Sequence, residues 1–452
     1  MKYFSFKLMS IASLIAHLSV NAQDIPKQYV DEALNNNLVL KEKKVTLDKS
    51  LIALKQARSL FLPTTWFETQ YTLAKGGRSI DLPVGDLLNP VYKTLNQLTA
   101  TNGFPTISNR SEQLLPNNFY DARIKTTMPI INPDIKINRD IKEQQILLQQ
   151  NEVDIYKREL IKEVKVAYYN YLMAGEGIRI YQNALQVVNE NLRINQSLLA
   201  NGKGLPAYVS RAESEVKQVE SQLQNAVNDH KNAQAYFNFL LNKSFTDSII
   251  AAEISFDKNV FPIPIEKNNN VLAREEIKSL NISRDINANV LKMDQSFRTP
   301  RLNAFLDLAS QGYDFKVNDK SLFYLAGVQL QVPIFTGKRN LYKIQQTKLD
   351  ALTIELVTSN TRQQLELAAS ISKNNAANAY SNYQAAIKQQ ESSQKYFKLI
   401  DKGYKEGVNS FIEFLDARNQ ITNAELQVNI SKYKTLAALA DYERQTASYS
   451  FK

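Results

Sequence analysis

From Lys338 to Lys402 the chain contains neither glycine nor proline. A helix through that stretch, rising about 1.5 Å per residue, would reach roughly 98 Å, where a globular helix averages about 11 to 12 residues. Helices this long, rich in Ala, Gln and Asn and carrying only a thin apolar stripe, need neighbours to cover that stripe. A second helical pattern opens after Gly407 and continues to about Tyr449. The two must therefore lie antiparallel as a hairpin.

The same plan is written earlier in the chain. Ala122, Ile124, Pro129 and Ile130 fall on Ala326, Val328, Pro333 and Ile334 at an offset of 204, and Gly204, Tyr208, Val209 and Leu223 fall on Gly407, Phe411, Ile412 and Leu426 at an offset of 203. Two well-separated anchors at nearly one offset indicate an internal tandem duplication. Each copy is expected to run helix, strand, long loop, strand, very long helix, tip turn, helix. The first repeat takes residues 23–245 and the second 268–452; residues 246–267, with Pro262 and Pro264, form the connector. In the first copy the rod runs from about Ile137 to Ala200 with "AGEG" (Gly175, Gly177) as a weak point, and the return helix opens at Pro206, a favoured first-turn residue. One shorter helix precedes each strand pair, ended by Pro63 and by Pro300.

Four segments alternate with a period of two, which puts successive side chains on opposite faces of a strand. Tyr324, Ala326, Val328, Leu330 and Val332 share one face, with Gly327, Gln329 and Gln331 on the other. Phe67 and Tyr71 oppose Glu68 and Gln70; Ile124 and Met128 oppose Arg123 and Lys125; Leu306 and Leu308 oppose Asp307. Each run has about 9 to 11 residues, the length of a tilted membrane strand, and charges at every second position have no place in a sandwich core. Four strands leave two open edges, however, and unpaired backbone groups cannot face hydrocarbon. Membrane barrels begin at about eight strands.

Several copies must then share one barrel. The expected fold class is an α+β membrane protein: long antiparallel helical hairpins, and four transmembrane strands per chain that contribute to a trimeric 12-stranded β-barrel, with lipid outside and water inside. A soluble α+β domain is the rival, and it leaves Arg123, Lys125 and Asp307 without a reason to alternate. The loop from about Gly76 to Asn117 is far longer than its counterpart after Ser310. Barrels keep longer loops outside the cell, which makes it a lid, a surface epitope or an insertion.

Composition narrows the chemistry. Lys2, Lys7, the apolar run that follows and the small residues Val20 and Ala22 describe a secretory signal peptide cleaved after Ala22. The chain has no cysteine, and of its two histidines only His230 would survive cleavage. Thiolate sites and disulfides are thereby excluded, and zinc sites and His-based triads have no material. The net charge of +10 is scattered among acids along helical segments, as on solvated helix faces and unlike a nucleic-acid patch. No P-loop, dinucleotide fingerprint, HExxH or GxSxG occurs, so no cofactor, metal or enzyme activity is expected.

With the duplication, the four strands and the tip "YKEGVNSFIEFLDA" (Tyr404, Gly407, Leu415, Asp416, Ala417), the chain resembles the TolC-like outer-membrane efflux proteins over essentially its whole mature length. The resemblance implies a homotrimer whose hairpins form an α-barrel in the periplasm, continuous with the 12-stranded β-barrel in outer-membrane lipid: an exit duct for an efflux or type I secretion system, passing cargo passively out of a Gram-negative cell from an inner-membrane pump and a periplasmic adaptor. It places Glu413, Asp416 and Tyr404 at a pore constriction, the two acids as rings under threefold symmetry. Acids are also what a solvated helix N-terminus favours. It places Gly204, Leu205, Gly407 and Val408 at the tip turns that meet adaptor hairpins, although glycine is what such turns need in any case. One departure is plain: the family's latch pairs an acid with a tyrosine and an arginine, and here Tyr404 fits while Ser210 and Asn409 replace the charged pair. A periplasmic coiled-coil adaptor or scaffold is the alternative; it predicts no membrane strands and one hairpin.

Overall fold

The computed structural model describes residues 24–252, 254 and 271–449. The expected signal peptide and most of the connector lie outside the described residues. In chain order the elements are α1 (Asp24–Asn36), α2 (Leu38–Ser59), β1 (Thr64–Thr72), β2 (Ser79–Leu82), α3 (Val84–Thr99), β3 (Arg110–Gln113), β4 (Phe119–Ile131), α4 (Pro133–Ala200), α5 (Pro206–Leu240), α6 (Glu275–Gln295), β5 (Arg301–Tyr313), β6 (Leu322–Gln331), α7 (Arg339–Lys405) and α8 (Phe411–Thr446). Among the described residues no helix is long and apolar enough to cross a membrane.

The chain divides into two compact units, each drawing on both halves of the sequence. One takes in residues up to Ser50, Gln145–Arg284 and Leu352 onward, and is helical. Its core gathers Tyr29 and Val30 of α1, Leu160, Val164 and Tyr168 of α4, Phe237 of α5 and Tyr433 of α8. The Tyr168 hydroxyl donates to the Ile250 carbonyl at 2.9 Å, and the Tyr29 hydroxyl accepts the Ile250 amide at 2.8 Å, which ties the segment after α5 to the core. α4 and α7 have 68 and 67 residues, each about 100 Å long.

Two local expectations need correction. α4 passes through Gly175 and Gly177 unbroken. A Cβ at Gly175 would meet the His230 ring at 3.4 Å, an ordinary contact, and packing along the hairpin outweighs the ~1 kcal/mol that glycine costs a helix. The helix expected before β1 is instead two, divided at Asn37. Its buried amide donates to the Leu240 carbonyl at 3.0 Å, while its Oδ1 accepts the Leu40 amide at 3.1 Å and the Tyr156 hydroxyl at 3.1 Å. A residue that can cap α2 and bond α5 at once turns a continuous apolar pattern into two helices.

The other unit, Leu51–Gln144 with Asp285–Ala351, is built on one antiparallel sheet in the order β1-β4-β5-β6. Register puts Phe67, Ile124, Leu308 and Tyr324 side by side, then Thr65, Thr126, Leu306 and Ala326, then Met128, Ala304 and Val328, and then Leu302 and Leu330. The opposite face carries Glu68, Arg123, Lys125 and Asp307, and also Trp66. On the apolar face Tyr324 and Val328 are 75% and 66% exposed. Val332, expected in the last strand, lies one residue past its end at Gln331, because Pro333 has no N–H with which to continue a ladder. β4 and β5 run to 13 residues each, beyond the length expected. The stretch from 76 to 117 is not a plain loop: it holds the β2–β3 hairpin and α3.

Asn37→Ala should strand the Leu240 carbonyl and the Leu40 amide in the core, at about 1–3 kcal/mol per buried group. The expected outcome is a lowered midpoint of thermal unfolding by circular dichroism, with unchanged helix content at low temperature.

Candidate functional site

The two hairpin turns of the helical unit close by one device. After α4, the Gly202 amide bonds the Leu199 carbonyl at 3.0 Å and the Lys203 amide bonds that of Leu198 at 2.9 Å; after α7, Gly407 bonds Tyr404 at 3.1 Å and Val408 bonds Gly403 at 2.8 Å. These paired bonds need a left-handed residue just past the helix, and Gly202 (φ 68°) and Gly407 (φ 77°) supply it. Gly204, which the sequence aligns with Gly407, has another task. A Cβ there would lie 2.7 Å from the Leu199 nitrogen, so its bareness lets the turn close on the end of α4. Leu205 is extended and Pro206 starts α5. Leu205 and Val408 stand out from the turns, Val408 at 80% exposure.

Inside the turns a small core joins the four helices. Ala212, Phe411, Phe414 and Leu415 are buried against Tyr208, Phe397 and Tyr404. The Tyr404 ring sits 5.0 Å from Phe414, and its hydroxyl donates to Asn195 Oδ1 of α4 at 3.2 Å. Burial pushes this phenol above its ordinary pKa. Ser210 is exposed on α5, and Asn409 folds back over Gly403, where a Cβ would overlap its side-chain oxygen. Tyr404 is thus joined to the first hairpin through Asn195, a neutral bond in place of a charge-assisted one.

Glu413 and Asp416 are both exposed on the first turns of α8. Glu413 has a second occupation: Ser410 Oγ accepts the Glu413 amide at 3.2 Å while Glu413 Oε2 accepts the Ser410 amide at 2.7 Å. This reciprocal capping box was legible as S-x-x-E. The backbone bond from Ser410 holds the Glu413 carboxyl below its ordinary pKa. Asp416 accepts Gln420 Nε2 at 2.7 Å.

A buried ion pair behind the aromatic core was missed in the sequence. Arg418 Nη2 of α8 donates to Glu215 Oε2 of α5 at 2.6 Å, with side chains 4% and 5% exposed, and Arg211 reaches the other Glu215 oxygen at 2.8 Å. Burial draws the Arg418 pKa below its ordinary value, while Glu215 raises it. The pair spans 203 positions, the offset that relates the two tips in sequence. That coincidence was the available signal.

A sequence profile of outer membrane efflux proteins matches residues 29–243 and 284–444. The chain belongs to the outer membrane efflux protein family. Its function is therefore that of an outer-membrane exit duct for efflux, and a periplasmic adaptor without membrane strands is set aside. Among solved structures, the CmeC outer membrane channel of Campylobacter jejuni superposes with a TM-score of 0.75 at 16% identity, over 94% of this chain and 85% of that one. The outer-membrane channel OprN gives 0.73 at 14% identity, over 94% and 90%. The open-state MtrE outer membrane channel of Neisseria gonorrhoeae gives 0.71 at 16%, over 93% and 88%. At these identities the superpositions establish the fold. No curated protein sequence matches the chain.

Two variants separate cap from charge at Glu413. Glu413→Gln should keep the box and leave hydrogen exchange at residues 410–414 unchanged, whereas Glu413→Ala should speed it. Arg418→Met leaves the Glu215 carboxylate buried with only its Arg211 partner, a disruption worth about 3 kcal/mol or more. Its thermal midpoint should fall, and adding Glu215→Leu should recover most of the loss.

Proposed function

We propose that three copies of this chain join edge to edge, β1 of one against β6 of the next, into a 12-stranded barrel in the outer membrane of a Gram-negative cell. The helical hairpins then form the periplasmic conduit. One observation carries this reading: the four-stranded sheet ends in two open edges and bears one apolar, exposed face. Tyr324, Ala326, Val328 and Leu330 face lipid with Phe67 and Ile124, while Glu68, Arg123 and Lys125 line a wet lumen. The repeated order of elements supports descent from a tandem duplication.

The tip is the periplasmic gate. Exposed Leu205 and Val408 meet the hairpins of an adaptor that recruits an inner-membrane pump, and Asp416, with Glu413 beside its cap, forms acidic rings that favour cations. Tyr404 takes part by holding α7 to α4 next to those rings, so its contribution to the constriction is positional. The duct is passive and performs no chemistry on its cargo.

Purified protein should show three chains per particle in detergent and discrete, cation-preferring channels in planar bilayers. Glu413→Gln with Asp416→Asn should reduce the cation preference, and an unchanged preference would remove the acidic rings. Val328→Lys, on the lipid face, should impair membrane assembly at a cost of about 2–4 kcal/mol near the bilayer centre, whereas Gln329→Lys, on the lumen face, should assemble normally. Equal behaviour of the two lysine variants would refute the assignment of faces.

A further inference from the structure

Between the two hairpins, inside the helical unit, lies a cavity of about 660 Å³, within the range that small-molecule sites occupy. All four helices wall it: Tyr171 comes from α4, His230 from α5, Tyr383 from α7, and Glu425, Asn429 and Lys432 from α8. Much of the wall is aromatic. The His230 ring lies 4.5 Å from that of Tyr171, and burial draws the imidazole below its ordinary pKa, so it carries no charge at neutral pH.

Two acceptors in this wall are unspent. The Glu425 carboxylate is half-buried and makes no hydrogen bond or ion pair among the described residues. Burial raises its pKa against the pull of Arg179, which is itself bonded to Glu176. One turn further along α8, Asn429 is only 6% exposed; its Nδ2 donates to the Met173 carbonyl at 2.8 Å, while its Oδ1 has no partner. An unpaired carboxylate and an unpaired amide oxygen four residues apart share one helix face, and together they call for a donor that carries positive charge. Among the described residues no cluster of His, Asp and Glu could hold a metal ion. Aromatic faces instead attract organic cations. Lys432 does not neutralise Glu425: it rests over the Tyr433 ring at 5.4 Å, two turns and about 10 Å along the helix from the carboxylate, where it opposes a second positive group.

We propose that this cavity binds a small organic monocation with a flat aromatic body, its N–H groups on Glu425 beside Asn429 and its rings among Tyr171, His230 and Tyr383. One chain supplies every wall, so the site does not rest on the three-copy ring. It makes aromatic amines a class of ligand for the helical wall, apart from the acids of the tip.

Proflavine, a planar acridine monocation at neutral pH, is titrated against the full-length protein in dodecyl maltoside and followed by fluorescence anisotropy. Binding should saturate at about one dye per chain. Glu425→Gln should weaken it about tenfold, the loss of one charge-assisted bond, without lowering the thermal midpoint, because the charge removed is unpaired. Glu413→Gln with Asp416→Asn, at the tip, should leave the affinity unchanged, and acridine-9-carboxylate, the same rings with the opposite charge, should not displace the dye. Unsaturable binding, an unchanged affinity in Glu425→Gln, a loss there that comes with a lowered thermal midpoint, a loss in the tip variant, or displacement by the carboxylate would each overturn the site. The duct reading fails by a separate measurement, the lack of channels in planar bilayers, whatever the dye does.

Discussion

A peptide group in hydrocarbon has no water to bond, and leaving it unpaired costs several kcal/mol. β1 and β6 each present a row of such groups, because each pairs on one side only. The sheet of one copy is therefore an unfinished object in a membrane, and in the proposed ring the missing bonds come from other copies. The helices are unfinished in a similar way. Along α7 the buried residues are small, Ala369, Ser372, Ala376 and Ala386, while Leu349, Leu352, Leu356 and Leu367 are exposed. Backbone pairing at the sheet edges and stripe covering along the rods are both what the proposed ring of copies would supply.

The tip answers a different demand, holding two hairpins together through few contacts. Aromatic rings from α5, α7 and α8 meet in one small core, and the Tyr404–Asn195 bond crosses it. The charged link lies deeper, at Glu215 and Arg418. A single neutral bond costs less to break than a buried, hydrogen-bonded ion pair. Any motion of the tip is therefore expected to part Tyr404 from Asn195 before it disturbs Arg418.

Much of this was legible because long-range order here follows simple periods. Alternation at Tyr324 to Leu330 and at Arg123 to Lys125 gave faces that the register preserves, and the absence of Gly and Pro marked α7 to within a few residues. What escaped was decided by single side chains answering tertiary partners. Asn37 divides a helix because Leu240 and Tyr156 are there to bond it. Gly175 fails to break one because a glycine costs a helix only about 1 kcal/mol, which packing along the hairpin outweighs. In the tip, glycine content pointed to the turns, but which glycine is left-handed depended on where α4 stops, so Gly202 was passed over for Gly204. Helix α3 lay within a stretch expected to be a loop, where Val84 to Leu98 already repeated apolar residues at helical spacing.

The central claim is that the outer rows of β1 and β6 are hydrogen-bonded to other copies. Amide hydrogen exchange on the protein in lipid nanodiscs, resolved to single residues by fragmentation, addresses it directly. The account predicts that the amides of β1 and β6 with no partner inside the chain exchange as slowly as those of the central strands β4 and β5. Fast exchange along both edges, with β4 and β5 protected, would contradict it.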